Sequence, residues 1–380
     1  MLRRIPGLIE LAGLSLLLMM IVSPAATMAQ MGRGNSINGI FALAPPNRPI
    51  PEQIYANPNV DGVSIQYIWM AIEPSDGFYN WGPIDDAIRQ AQAHNKKVSL
   101  NITPAIFTPQ WVYGAGARRF TFLWDKPWGF PPCSTQGFPI PWDETYQAKW
   151  TAFVRAVGAR YSGNPALVLV KIQGINGQTS ELLLPHTMPG GNQYGRLVQE
   201  CPQQNDDNQT WVSAGYRPSK ILSAWKNDAA TYGQVFPNQH LVIEIGPWGF
   251  PPIDENGNLL QGRMADTHLP MEIVNTGREM FDGRFVVQND GLNAVWAPPM
   301  LTQLATVVPI AFQTAWFVTN DPKCRMNHFQ QPCDAQQMMQ STVNRGIESG
   351  AKYIEIYGND VMNPQLQGIL AEAHRRLDSQ

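Results

Sequence analysis

A single-domain (β/α)8 barrel is the fold this sequence predicts. Eight short apolar runs, rich in β-branched residues, alternate in order with segments of helical periodicity. No shift in composition marks a boundary between them, and the longest loops follow the third and fourth strands. Right-handed crossovers in that order close a parallel sheet on itself. An open doubly wound sheet is the competing arrangement, but no Gly-x-Gly-x-x-Gly follows the first strand.

Asn38-Gly39 leads into Ile40–Ala44, an apolar run stopped by Pro45-Pro46, and Pro51–Ile54 opens a brief helix. Val63–Trp69 is the second strand. Trp81–Asn95 places Ile84, Ala87, Ile88 and Ala91 on one helical face. Lys97–Ile102 is the third strand, followed by a Pro-, Gly- and Trp-rich loop from Thr103 to Trp142. Asp143 caps a helix to Tyr161 that carries Trp150, Phe153, Val154 and Val157 on one side. Leu167–Ile172 is bounded by Asn164-Pro165 and Gly174, the pattern of a strand buried on both faces. After the loop from Pro185 to Arg217, Pro218 opens a helix to Tyr232, with proline in its first turn. His240–Ile245, Arg284–Gln288, Val307–Gln313 and Lys352–Tyr357 are the remaining strands. Leu269–Phe281, Met300–Thr306, Ala335–Ser349 and Pro364–Leu377 are the helices between and after them.

The first 29 residues read as a signal peptide. Leu2-Arg3-Arg4 is basic, Leu11–Val22 is apolar, and Ser23–Ala29 is a small-residue end with cleavage after Ala29 or Ala25. A barrel domain of residues 30–380, secreted or periplasmic, is the expectation; an uncleaved anchor is the other outcome. Charged residues are 15% of the chain and hydrophobic residues 44%, a composition that excludes disorder. A net charge of −3 without a basic cluster argues against a nucleic-acid partner. Four cysteines allow two disulfides. Cys324 and Cys333 share one loop, and Cys133 and Cys201 each lie in a long one, so those are the expected pairs. The histidines are scattered without ligand spacing, and neither a metal nor a cofactor is expected.

The chemistry gathers at the ends of the strands. The apolar fourth strand runs into Asn176, Gln178, Thr179 and Ser180, and then the carboxylate Glu181. In a barrel that loop lies at the catalytic face. Trp69 and Glu73 follow strand two, Asn101 lies on strand three, and Glu244 and Trp248 mark strand five. Asn289 and Asp290 follow strand six, Gln313 and Trp316 end strand seven, and Glu355 and Tyr357 end strand eight. Indoles stack on sugar rings, amides bond hydroxyls, and paired carboxyls cleave glycosidic bonds. Duller roles stand beside these: Glu181 as a loop cap, Glu73 as a loop fastener, Glu244 and Glu355 in buried ion pairs, and Trp111, Trp124, Trp128 and Trp142 as loop packing. Asn208-Gln209-Thr210 matches a glycosylation acceptor.

The segment from Ile68 to Trp81, with Trp69, Glu73-Pro74, Gly77, Tyr79 and Trp81, resembles the W-x-x-x-E-P-x-x-G-x-Y-x-W stretch of barrel glycosidases. The likeness is to the β-galactosidase-like members of clan A, which are TIM barrels. It implies a glycoside hydrolase with a Glu acid/base after strand four and a Glu nucleophile ending strand seven. By position Glu181 resembles the acid/base, although Ser180 rather than Asn precedes it. Gln313 stands where the nucleophile would be, and an amide cannot form the glycosyl-enzyme. Glu355 is the expected second carboxylate, with Glu244 and Asp290 as further choices. Asn176, Asn289 and Gln313 would hold hydroxyls of a carbohydrate ligand, and Trp69, Trp248, Trp316 and Tyr357 would face it. A barrel that binds glycan without cleaving it is the alternative.

Overall fold

Alternate residues of each strand divide between two cores, and that division follows from the two-residue period of the extended chain. In the computed structural model, Ile40 and Ala42, Val98 and Leu100, Leu241 and Ile243, and Ile354 and Ile356 all face the surrounding helices. Phe41, Leu169, Val242, Val286, Ala311 and Tyr353 pack against one another in a second, inner core. The structure describes residues 36–124, 129–187, 201, 206–246 and 248–380, so the expected signal peptide and Trp128 lie outside the described residues.

The sheet is a closed barrel of eight parallel strands. They are β1 Gly39–Leu43, β2 Gly62–Ile68, β3 Lys97–Thr103, β4 Leu167–Lys171, β5 His240–Glu244, β6 Phe285–Leu292, β7 Ile310–Thr314 and β8 Ala351–Tyr357. The helices that return the chain to the next strand, or close it, are α1 Glu52–Tyr55, α2 Gly82–Ala93, α3 Glu144–Tyr161, α4 Pro218–Val235, α5 Leu269–Phe281, α6 Pro299–Leu304, α7 Ala335–Glu348 and α8 Gln367–Asp378, with shorter helical turns in the loops. Residues 37–380 form one compact unit. Among the described residues, no helix is long and apolar enough to cross a membrane.

Three boundaries differ from the sequence reading in ways that matter for the site. β2 stops at Ile68, and Trp69 instead opens a single helical turn, Trp69–Ile72. β7 begins at Ile310 because Val307 is exposed and Pro309 has no N–H to give the ladder. β6 extends to Leu292 through a register shift between Asn289 and Leu292, so Asp290 lies within the strand. The long loop after β3 contains an antiparallel hairpin, Arg119–Leu123 with Thr135–Pro139. Cys133 beside that hairpin is bonded to Cys201 in the loop after β4, and Cys324 is bonded to Cys333.

Candidate active site

The loop bearing Glu181 is assembled from backbone bonds that side-chain amides complete. Ile172 N–H extends β4 by donating to Val242 at 2.7 Å. Gly174 follows at φ +138°, where a Cβ would come 2.2 Å from Asp228 Oδ2, so a side chain is excluded twice over. Gln173 Nε2 and Asn176 Nδ2 both donate to the Ser180 carbonyl, at 2.8 and 2.6 Å, and Asn176 Nδ2 reaches the Glu181 carbonyl at 3.1 Å. Leu182 N–H then hooks onto the Glu244 carbonyl at 2.8 Å. Asn176 is therefore occupied in holding the loop. The Glu181 backbone is pinned at the rim between β4 and β5, with its residue half-buried.

Asp228 on α4 lies beneath this loop and is 2% exposed. Burial pushes its carboxyl well above the usual range, and the Gln147 amide at 3.4 Å offsets only part of that. A raised folded value stabilises the fold at low pH, and that contribution is lost as pH rises through the folded value. Between the unfolded and folded values the loss is about 1.4 kcal/mol per pH unit, since the unfolded chain ionises first. Asp228→Asn is expected to remove one proton's worth of that slope from urea-unfolding free energies measured upward from about pH 4.

Inside the barrel, the layer above the apolar inner core is polar. Lys171 at the end of β4 donates to Glu244 on β5 and, at 2.8 Å, to Glu355 Oε2 on β8, with all three side chains fully buried. Gln288 Nε2 on β6 lies 3.0 Å from each of Glu244 Oε1, Asp290 Oδ1 and Glu355 Oε2. Tyr353 O–H donates to Gln288 Oε1 at 2.7 Å. Burial alone would depress the Lys171 ammonium, but the Glu244 and Glu355 charges outweigh it and hold it above its ordinary range. Burial raises Glu244, with Lys171 pulling it back in part.

Glu355 does share the lumen face with Tyr353 and Tyr357, as its spacing implied. It lies one layer below the mouth, however, where Lys171 engages it. Asp290 feels the charge of Glu181. Burial first, and then the charges of Glu244 and Glu181, push its carboxyl well above the carboxylate range. Tyr357 is raised by burial and by the charges of Asp290 and Glu181. The structure thus brings Glu181, Asp290 and Tyr357 into one neighbourhood. Gln313, 8% exposed and in register with Glu355, completes the inner side of β7.

Trp69 does not face this mouth. It is fully buried among Trp111, Tyr146, Trp150 and Phe153, and its indole N–H donates to Glu73 Oε2 at 2.8 Å. Glu73 Oε1 also accepts from Gly77 N–H at 2.9 Å, closing the turn after β2. The residue pair that carries the sequence motif is a structural clasp. Trp69→Ala is expected to lower the urea-unfolding free energy by about 3–5 kcal/mol.

The remaining predicted residues separate in the same way. Asn289 Nδ2 donates to the Ile245 carbonyl at 3.0 Å and its Oδ1 accepts from Gly291 N–H at 2.8 Å, so its amide secures the end of β6. Trp316 packs tilted and Phe317 edge-on against Tyr357, and the Arg325 guanidinium covers the Trp316 ring at 4.4 Å. Trp248 is 50% exposed after β5, which leaves its ring available to a ligand. In the loop after β3, Trp111 donates to the Glu73 carbonyl and Trp124 is buried, while Trp142 packs on Trp211 and Tyr216. Asn208 of the acceptor motif is buried and its amide bonds both polar backbone atoms of Thr187, which leaves no room for a glycan on it. A small apolar cavity among Leu100, Ile102, Phe153, Val157 and Tyr232 lies in the helix–strand layer behind β3 and β4, where Lys171 also lines it. Among the described residues, no group of histidine, cysteine and acidic side chains is arranged to hold a metal.

Residues 53–181 match the family Glyco_hydro_42, described as Beta-galactosidase, and the match ends on Glu181. No curated protein sequence matches the chain. Among solved structures, the polyextremophilic β-galactosidase of the Antarctic haloarchaeon Halorubrum lacusprofundi superposes with a TM-score of 0.54 at 11% identity. The superposition covers 90% of this chain and 58% of that one, so the chain spans little more than half of that enzyme's length. The chain is a (β/α)8 barrel like those of the clan A glycoside hydrolases, its β-galactosidase-like sequence carried by residues 53–181.

Proposed function

We propose that this chain is an exported glycoside hydrolase that cleaves an O-glycosidic bond, with Glu181 as general acid/base and Asp290 as the second carboxyl. The observation that carries this reading is that Lys171 already engages Glu244 and Glu355, while Asp290 is held, among the described residues, only by the Gln288 amide and lies within the influence of the Glu181 charge. Glycoside hydrolysis needs two carboxyl groups facing one scissile bond. Glu181 extends from the loop after β4 and Asp290 from β6, so a sugar over the barrel axis would lie between them. Glu355 was the first choice from the sequence, but its engagement with Lys171 in full burial suits a supporting role better. Trp248 and Tyr357 offer the ring surfaces. A galactoside is the first substrate class to try, since the family match and the structural neighbour are both β-galactosidases. Export accords with two disulfides, which persist in oxidising compartments.

The comparison that tests the pair is Asp290→Asn against Glu355→Gln on an aryl galactoside. Asp290→Asn is expected to abolish turnover while leaving substrate binding in place. Loss of turnover in a folded Glu355→Gln with Asp290→Asn active would return the role to Glu355. Gln313 at the end of β7 favours a second reading, a barrel that binds glycan and no longer cuts it.

A further inference from the structure

We propose that Lys171 is a positioning residue for Asp290: by satisfying Glu244 and Glu355 it leaves the Gln288 amide free to orient the Asp290 carboxylate and supply it with a donor. That Asp290 is a reacting group rests on the reading above; that Lys171 and Gln288 control it does not.

The geometry turns on a shortage of protons at one nitrogen. Gln288 Nε2 has two hydrogens and three carboxylate oxygens at 3.0 Å: Glu244 Oε1, Asp290 Oδ1 and Glu355 Oε2. Lys171 Nζ donates to the same oxygens of Glu244 and Glu355 that the amide contacts, and not to Asp290. With those two oxygens supplied by the ammonium, an amide hydrogen is available to Asp290. Without the ammonium, both amide hydrogens are drawn to Glu244 and Glu355. Few other donors among the described residues reach them: Glu355 Oε1 is buried with no partner, and Glu244 has only the Ser180 hydroxyl besides. The Tyr353 hydroxyl on Gln288 Oε1 fixes which end of the amide faces the carboxylates, because a flipped amide would set its oxygen against three acceptors.

The same arrangement answers an electrostatic difficulty at the mouth. Burial weighs most on Asp290, followed by the like charges of Glu244 from β5 and Glu181 from the β4 loop; Tyr357, Tyr353 and Glu355 approach from β8. Burial, Glu244 and Glu181 favour a neutral Asp290. Lys171 and the Gln288 amide are the groups that pull the other way. A second carboxylate that must accept charge or a proton during the reaction depends on them.

The test is an infrared pH titration of the whole chain, following the protonated-carboxyl band that Asp290→Asn removes. Gln288→Leu is expected to raise the proton affinity of Asp290 at least about tenfold, the worth of one charge-assisted hydrogen bond. Lys171→Met is expected to move it in the same direction, and Tyr353→Phe by a smaller amount. An unchanged midpoint in folded Gln288→Leu overturns the proposal. If Gln288→Leu does not fold, Tyr353→Phe, which lacks a single hydroxyl, decides on the same criterion. The titration needs no substrate, so it separates the two readings. A shifted midpoint in a chain that cleaves no glycan leaves the Lys171 network standing and removes the glycosidase. An unshifted midpoint in an active enzyme does the reverse.

Discussion

Glu181→Gln is expected to lower turnover of a galactoside by roughly 10²–10⁴-fold, the range for loss of a positioned acid/base. Folding should be largely kept, because Gln173 and Asn176 fix the loop through the Ser180 and Glu181 carbonyls, and the Leu182 N–H fixes it through the Glu244 carbonyl. The residue is half-buried at the rim, so the amide fits without a new cavity. The effect should depend on the leaving group. An aryl glycoside whose phenol departs without protonation should lose much less than an alkyl glycoside, since an acid is needed in proportion to the basicity of the departing oxygen. Equal losses on both substrates would assign Glu181 another role.

Lys171→Met is expected to cost about 3–5 kcal/mol in urea-unfolding free energy, the penalty for stranding a buried charge partner. Here the ammonium serves Glu244 and Glu355 together, both fully buried. Removing only the cation leaves two carboxyls that must take up protons or draw in water. Replacing Lys171, Glu244 and Glu355 together by apolar residues should recover most of the loss, since a buried ion cluster is worth little against well-packed side chains. A triple variant as unstable as the single one would mean that the cluster itself stabilises the barrel.

The barrel was legible because its strands are buried on both sides. Runs such as Leu167–Lys171 and Leu241–Glu244 are apolar on the helix-facing side and largely apolar inside, and eight of them in order leave few topologies. Boundaries were less legible where polar residues continue a strand. Asn289 and Asp290 suggested a loop, yet the bulge carries β6 through them to Leu292. The hairpin after β3 was hidden by its prolines and glycines, which read as loop.

At the site, the position of Glu181 in the loop after β4 was legible, and the period-two pattern set Glu355 beside Tyr353 and Tyr357. What a strand pattern cannot give is depth along the barrel axis or the cation across it. Lys171 ends the very strand from which the Glu181 loop departs, but nothing local tells that its ammonium reaches β5 and β8. The motif around Trp69 misled for a related reason. An indole and a carboxylate spaced by four residues suit a ligand or a helical clasp equally, and only burial separates them.

The most direct test of the whole account is product release by the purified wild-type chain from a panel of galactosides and of plant, bacterial and animal polysaccharides. Shorter sugars accumulating with time, at a rate proportional to protein, are the predicted result. Saturable binding of a glycan with no product at any pH would contradict it, and would make Gln313 the mark of a barrel that holds carbohydrate without cutting it.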